Sequence, residues 1–192
     1  MIRLLTVILL LTGLSDRWNM AYALSGSGTE SSPYLIGSAD DWKAFAEVVN
    51  SSTSAICVKQ TNDIVVKLDQ YHRVGNSSHP FMGKFDGQGN TITLEYALFA
   101  NDYVALFSYV KNATIENVIV NGEFKTSGQY ASGLVSQCLG SNAVHIQNCI
   151  VSATLSFAPT APIFNAYMAG LSGSVTPSYA ATKCLLIFSR RL

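Results

Sequence analysis

Chemistry in this chain would rest on its histidine, cysteine, carboxylate and hydroxyl side chains, and their spacing decides what they can do. The histidines are His72, His79 and His145. A zinc peptidase needs His-Glu-x-x-His, which sets two imidazoles one helical turn apart beside a base. None of the three has that setting. The cysteines are Cys57, Cys138, Cys149 and Cys184, and their spacing matches no zinc site. They read as small buried apolar side chains, with disulfides open to them if the chain is exported. A lyase or glycosidase site needs several carboxylates meeting on one face, to hold calcium or to act as acid and base. Asp63, Asp69 and Asp86 fall early, and no acidic residue follows Glu123. Asp86 is the sharpest candidate, and its plainer role is to cap the turn before Gly87. Ser136 sits in Gly-Leu-Val-Ser and lacks the glycine two residues on that a nucleophile elbow requires. Tyr71, Tyr96, Tyr103, Tyr109 and Tyr130 offer rings for a sugar-binding face, although scattered tyrosines more often pack half-buried. Asn50, Asn76 and Asn112 open glycosylation sequons. These residues name no catalytic group, no metal ligand and no cofactor, so the expectation is a protein that is not an enzyme.

The elements that carry these residues are mostly strands. Pro33 to Ile36 reads as a short strand. One amphipathic helix follows near 39–49. Ser38 is its N-cap and Asp41 sits at the positive end of its dipole. Trp42, Phe45, Ala46 and Val49 make one apolar stripe, and Asn50-Ser51-Ser52 ends it. Ile64 to Leu68 is a strand, and Phe85 to Leu94 is a glycine-punctuated turn entering another. A phrase then recurs. Ala105-Leu106-Phe107 leads to Ile115-Glu116-Asn117-Val118-Ile119-Val120. Gly133-Leu134-Val135 leads to Ile146-Gln147-Asn148-Cys149-Ile150-Val151. Gly170-Leu171-Ser172-Gly173 leads to Lys183-Cys184-Leu185-Leu186-Ile187. The copies start 28 residues apart from Leu106 to Leu134 and 37 apart from Leu134 to Leu171.

An imperfect period of this size marks a solenoid. No single repeat can bury its own apolar face, whereas stacking repeats in parallel buries a continuous core. Asn117 and Asn148 hold equivalent places in the pattern I-x-N, where stacked asparagines can bond along the stack. A β-sandwich would show tight hairpin signals, and these are scarce. The fold expected is all-β, a right-handed parallel β-helix with one short N-terminal capping helix. Leu106, Leu134 and Leu171 should stack, as should Ile115 and Ile146.

The ends of the chain speak to compartment. Arg3 precedes the apolar run Leu4 to Leu14, and Ala21-Tyr22-Ala23 follows with small residues. That order predicts a signal peptide over 1–23, cleaved after Ala23. Residues 24–32 then form a flexible leader, and 33–192 form the β-helix domain. Of the 192 residues, 12 % are charged and 48 % hydrophobic, against about 25 % charged in an ordinary soluble protein. Loss of Arg3, Arg17 and Asp16 with the signal takes 12 basic and 12 acidic residues to 10 and 11. A near-neutral surface excludes nucleic acid as the main partner. Polar residues interrupt the uncharged stretch between Lys125 and Lys183, so no membrane span is expected after signal removal. At the other end, Lys183 to Phe188 is apolar and strand-like with only four residues beyond it. It predicts self-association through an uncapped C-terminal end.

The opening Gly26-Ser27-Gly28-Thr29 with Pro33-Tyr34-Leu35-Ile36, the block Phe81-Met82-Gly83-Lys84-Phe85-Asp86-Gly87-Gln88-Gly89 and the Gly-Leu-Val repeats resemble bacterial GLUG-motif surface proteins. The likeness covers roughly residues 26–173. It implies a right-handed β-helix of the pectin-lyase-like class in a secreted or surface-attached protein, of the kind that accompanies IgA-cleaving metallopeptidases and large adhesins. The chain departs from the usual Gly-Leu-Val-Gly: Ser136 replaces the last glycine, Ala105-Leu106-Phe107 stands for one copy, and Ser172 interrupts another. With few repeats before Leu192, a truncated or fragmentary member is expected. The function expected is a non-catalytic secreted or cell-surface module, adhesin- or stalk-like, binding a glycan or a host surface protein. The alternative is a degenerate or fragmentary polysaccharide lyase or hydrolase on the same fold.

Overall fold

The computed structural model describes residues 24–67, 72–95, 98–99, 103–126, 130–140, 144–157, 167–169, 172–174, 179–182, 185–186 and 189–191. The signal segment 1–23, Leu68, Asp69, Tyr71, Tyr96, Leu171, Lys183, Cys184, Ile187 and Phe188 lie outside them.

The chain runs β1 (Tyr34–Ile36), α1 (Ala39–Ser51), β2 (Ala55–Gln60), β3 (Ile64–Lys67), β4 (Phe81–Asp86) and β5 (Thr91–Glu95). It continues β6 (Leu98–Phe99), β7 (Tyr103–Val104), β8 (Phe107–Glu116), β9 (Ile119–Thr126), β10 (Tyr130–Ser132), β11 (Val135–Cys138), β12 (Val144–Gln147) and β13 (Ile150–Phe157). Short strands complete it: β14 (Tyr167–Ala169), β15 (Ser172–Ser174), β16 (Tyr179–Thr182), β17 (Leu185–Leu186) and β18 (Ser189–Arg191). The described residues are therefore mostly β with one helix, and their strands form three parallel sheets of eight, three and seven strands. Among the described residues no sheet closes on itself. Parallel neighbours cannot be joined by hairpins, so the chain passes through α1 between β1 and β2, and through β3 of the seven-stranded sheet between β2 and β4.

Two apolar columns show how this arrangement makes a core. In the eight-stranded sheet Val58, Phe85, Ile115 and Ile146 are register partners on β2, β4, β8 and β12. In the seven-stranded sheet Ile64, Ile92, Val120 and Val151 do the same on β3, β5, β9 and β13. All eight side chains are buried, so each strand lays its inward residues on those of the strand before. The expected pairing of Ile115 with Ile146 is thus present. Leu106 and Leu134 are fully buried and immediately precede the register pair Phe107 and Val135.

At three of the corners between the two large sheets a residue other than glycine takes a left-handed conformation. Gln88, Asn117 and Asn148 have φ of 55°, 56° and 53°. Asparagine tolerates that left-handed conformation better than most residues. The apolar runs Ile115 to Val120 and Ile146 to Val151 are therefore each bent at their asparagine.

The helix forms where its cap and stripe predict. Ser38 Oγ accepts from Asp41 N at 3.1 Å, and Asp41 Oδ2 accepts from Gly37 N at 3.1 Å and from Ser38 Oγ at 2.8 Å. Trp42, Phe45, Ala46 and Val49 are all buried. The helix runs to Ser51, two residues past the expected end, and the hydroxyls of Ser51 and Ser52 donate to the Val48 carbonyl. Among the described residues no helix is long and apolar enough to cross a membrane.

Residues 24–32, expected as a loose leader, instead fold back onto the sheet. Leu35 N donates to Ser25 O at 3.0 Å and Cys57 N donates to Gly28 O at 2.8 Å. Ser27 and Thr29 close a local turn on Ser32 O. The Ser25–Leu35 bridge is antiparallel and lies along β1, which covers backbone groups that an edge strand leaves open. Gly26 and Gly28 adopt φ of 97° and 73°. The glycines that read as looseness are there for turn geometry.

Candidate functional site

Asp86 ends β4 at the mouth of the Gly87–Asn90 turn. Its Oδ1 accepts from Gln88 N at 3.0 Å, and Gln88 Nε2 donates to Oδ2. This is the turn-capping role. Asn117 Nδ2 also donates to Asp86 Oδ1 at 2.9 Å, and Asn148 Nδ2 donates to Asn117 Oδ1 at 3.2 Å. Each link spans 31 residues. The I-x-N pattern thus builds the polar line expected of it, with Asp86 as its first member.

A second line runs beside it. Lys84 Nζ lies 2.6 Å from Glu116 Oε1, and Gln147 Nε2 donates to Glu116 Oε2 at 2.5 Å. Glu116 and Gln147 are the variable residue of I-x-N. Reading that residue across repeats was the available signal, and it was missed. Asp86 and Glu116 are register partners, so two carboxylates sit on adjacent strands. Like charges opposite each other repel, and Lys84, Asn117 and Gln147 offset this.

Burial pushes the Asp86 carboxyl up, but the hydrogen bonds from Asn117 and Gln88, with the Lys84 charge, outweigh it and hold it below the usual carboxylate range. Hydrogen bonding to Glu116 raises the Lys84 ammonium against the burial that lowers it. A depressed folded pKa adds stability above the unfolded value of about 3.9, lost as pH falls through the folded value. Asp86→Ala should therefore cost about 1–3 kcal/mol near neutrality by leaving part-buried donors unmet. Urea unfolding of both proteins should show that gap closing in acid. A gap independent of pH would mean the carboxylate is not held as described.

The other sequence candidates scatter. His72 lends its carbonyl to Trp42 Nε1, His79 N donates to Asn76 Oδ1, and His145 is exposed on β12. Asp63 Oδ1 caps the start of β5 through Thr91 N at 2.7 Å. Ser136 is fully buried. Cys138 and Cys149 are buried as expected and Cys57 is half-buried. Among the described residues no three His, Cys, Asp or Glu side chains gather where a metal could sit.

Two surface hollows accompany these features. One, of about 420 Å³, lies over the asparagine line between Gln88, Asn117, Asn148, Ile119 and Ile150. The other, of about 290 Å³, is walled by Asn50, Arg73, Asn76, Ser108 and Tyr109. Asn50 is a sequon asparagine, yet its amide is turned inward: Nδ2 donates to Arg73 O and Oδ1 accepts from Gly75 N, both at 2.9 Å. Arg73 carried no signal in the sequence, because its neighbours Asn50 on α1 and Tyr103 on β7 lie 23 and 30 residues away.

The fold and these sites define a mostly β protein of parallel sheets with a polar flank. No family model matches the chain, and neither a curated protein nor a solved structure matches it.

Proposed function

We propose that the chain is a right-handed parallel β-helix, exported from the cytoplasm, that serves as a non-catalytic surface module of adhesin or stalk type. The observation that carries this reading is the repeated parallel register, in which each I-x-N unit lies on the previous one. Such a stack is a long rigid surface, suited to presenting contacts to a glycan or a host surface protein. Right-handedness follows from the strong preference of parallel crossovers for that hand. Export follows from the ordered basic, apolar and Ala-x-Ala start. The GLUG-motif resemblance points the same way.

The second reading is a polysaccharide lyase or hydrolase, and the adjacent Asp86 and Glu116 are the feature in its favour. Against it, both oxygens of each carboxylate are engaged within the protein. Incubation with a panel of acidic polysaccharides, followed by size analysis, separates the two. The scaffold reading expects no chain shortening. Shortening that disappears in Asp86→Ala would establish the enzyme instead.

A further inference from the structure

Three asparagines open glycosylation sequons, and the fold treats one of them differently from the other two. An Asn-x-Ser/Thr asparagine suits a glycan where its amide nitrogen reaches solvent. Asn50, near the end of α1, uses both ends of its amide to hold the helix to residues 73–75. Its Nδ2 donates to Arg73 O and its Oδ1 accepts from Gly75 N, both at 2.9 Å. Asn76 closes the same joint from the other side. Its Nδ2 donates to Asn50 O at 3.2 Å, and its Oδ1 accepts from Ser78 N at 3.0 Å and His79 N at 2.8 Å. A sugar on either nitrogen would have to fill the joint between α1 and this segment.

Asn112 stands out of its sheet. Between the register pairs Phe81–Val110 and Gly83–Ala113, β4 has one residue and β8 has two, Lys111 and Asn112. The extra residue makes a β-bulge, which re-aims a side chain. Asn112 has φ of 50° there, a conformation that asparagine tolerates. On the other flank β11 pairs with β8 as far as Val110 and β12 pairs with it from Thr114. Asn112 falls in the gap between those two pairings. It is exposed, Ala113 is buried, and Thr114, which completes the sequon, is half-buried. Among the described residues the Asn112 amide has no hydrogen-bond partner.

We propose that Asn112 is an N-glycosylation site, and that Asn50 and Asn76 carry no sugar in the folded chain. The donor is an oligosaccharide joined to a lipid diphosphate, and a transferase on the exported side of the membrane supplies the base. Asn112 Nδ2 bonds to C1 of the first sugar. The C1–O bond to the diphosphate breaks, the diphosphate leaves with the electron pair, and one amide proton passes to the base. The product sets a bulky, solubilising group on the bulge of β8. The site goes beyond the binding-module reading and rests on its export step alone.

Secretion of the full chain from cells that have an N-glycosylation pathway tests this. The exported chain should carry one oligosaccharide by intact mass. Peptide N-glycanase in heavy-oxygen water should release it and label residue 112 alone. Thr114→Val, which removes the sequon hydroxyl and leaves Asn112 in place, should abolish the modification, and Thr114→Ser should keep it. Ser52→Ala combined with Ser78→Ala breaks the other two sequons without touching their asparagines and should change nothing. Circular dichroism confirms that each secreted variant is folded. An exported chain that starts at Leu24 and bears no sugar overturns the site and leaves export standing. A chain that keeps residues 1–23 and bears no sugar overturns both. Sugar on Asn50 or Asn76 of a folded chain also overturns the assignment.

Discussion

Replacing Trp42 with alanine is expected to lower the stability of the chain by about 3–5 kcal/mol. Trp42 is fully buried. Its ring meets Phe45, Phe85 and Phe107 edge to face, with centroids 5.6, 5.7 and 5.7 Å away. Its Nε1 donates to His72 O at 2.7 Å. Through one side chain the helix is joined to β4 and β8, so alanine leaves a cavity among three phenylalanines and an acceptor without its donor. A domain of this kind has only about 5–15 kcal/mol in total, and the loss is a large part of it. Urea unfolding measures it. A change below about 1 kcal/mol would mean that α1 is a loosely held appendage, since surface substitutions usually stay within about half a kcal/mol.

Gly83→Ala is expected to cost about 2–4 kcal/mol. Gly83 lies in β4 with φ of 106°, at an irregularity where the pairing with β8 shifts register. A Cβ there would fall 2.3 Å from Ile56 O and 2.6 Å from Ile56 N. Those are backbone atoms of the neighbouring strand, so relief means parting β2 from β4. Gly89 is the control. Its φ is 77°, yet a Cβ there meets nothing within 4 Å. Gly89→Ala should cost only the conformational term, about 1–2 kcal/mol. Thermal unfolding of the two variants compares them, and equal losses would show that the close approach at Gly83 is unimportant.

The legible parts of this chain are those written in local periodicity. The Trp42, Phe45, Ala46 and Val49 stripe needs only helical spacing, and Ser38 with Asp41 needs only three residues. The I-x-N pattern could be read because successive strands repeat it, and Asn117 and Asn148 do meet. Asp86 was read as a turn cap, which it is. Its bond to Asn117 was not legible, because Asp86 stands in register with Glu116, the variable residue of I-x-N, and not with an asparagine. Residues 24–32 misled because glycine and serine mark both loose chain and tight turns. The Lys84–Glu116 pair and the Arg73 cavity depend on contacts between residues about thirty apart, and no local spacing encodes them. β2, with Ile56 and Val58 inward, was passed over because Cys57, Lys59 and Gln60 blur its alternation.

The central claim is that successive units stack in parallel register, and through-space nuclear magnetic resonance contacts of the isotopically labelled mature chain test it most directly. The account predicts backbone contacts joining Thr114, Ile115 and Glu116 to His145, Ile146 and Gln147 on one side. On the other side the same residues should contact Lys84, Phe85 and Asp86. Both sets should have the pattern of parallel strands. Contacts instead between β8 and β9 as an antiparallel pair, with the Lys84 and His145 segments remote from Thr114, would contradict it.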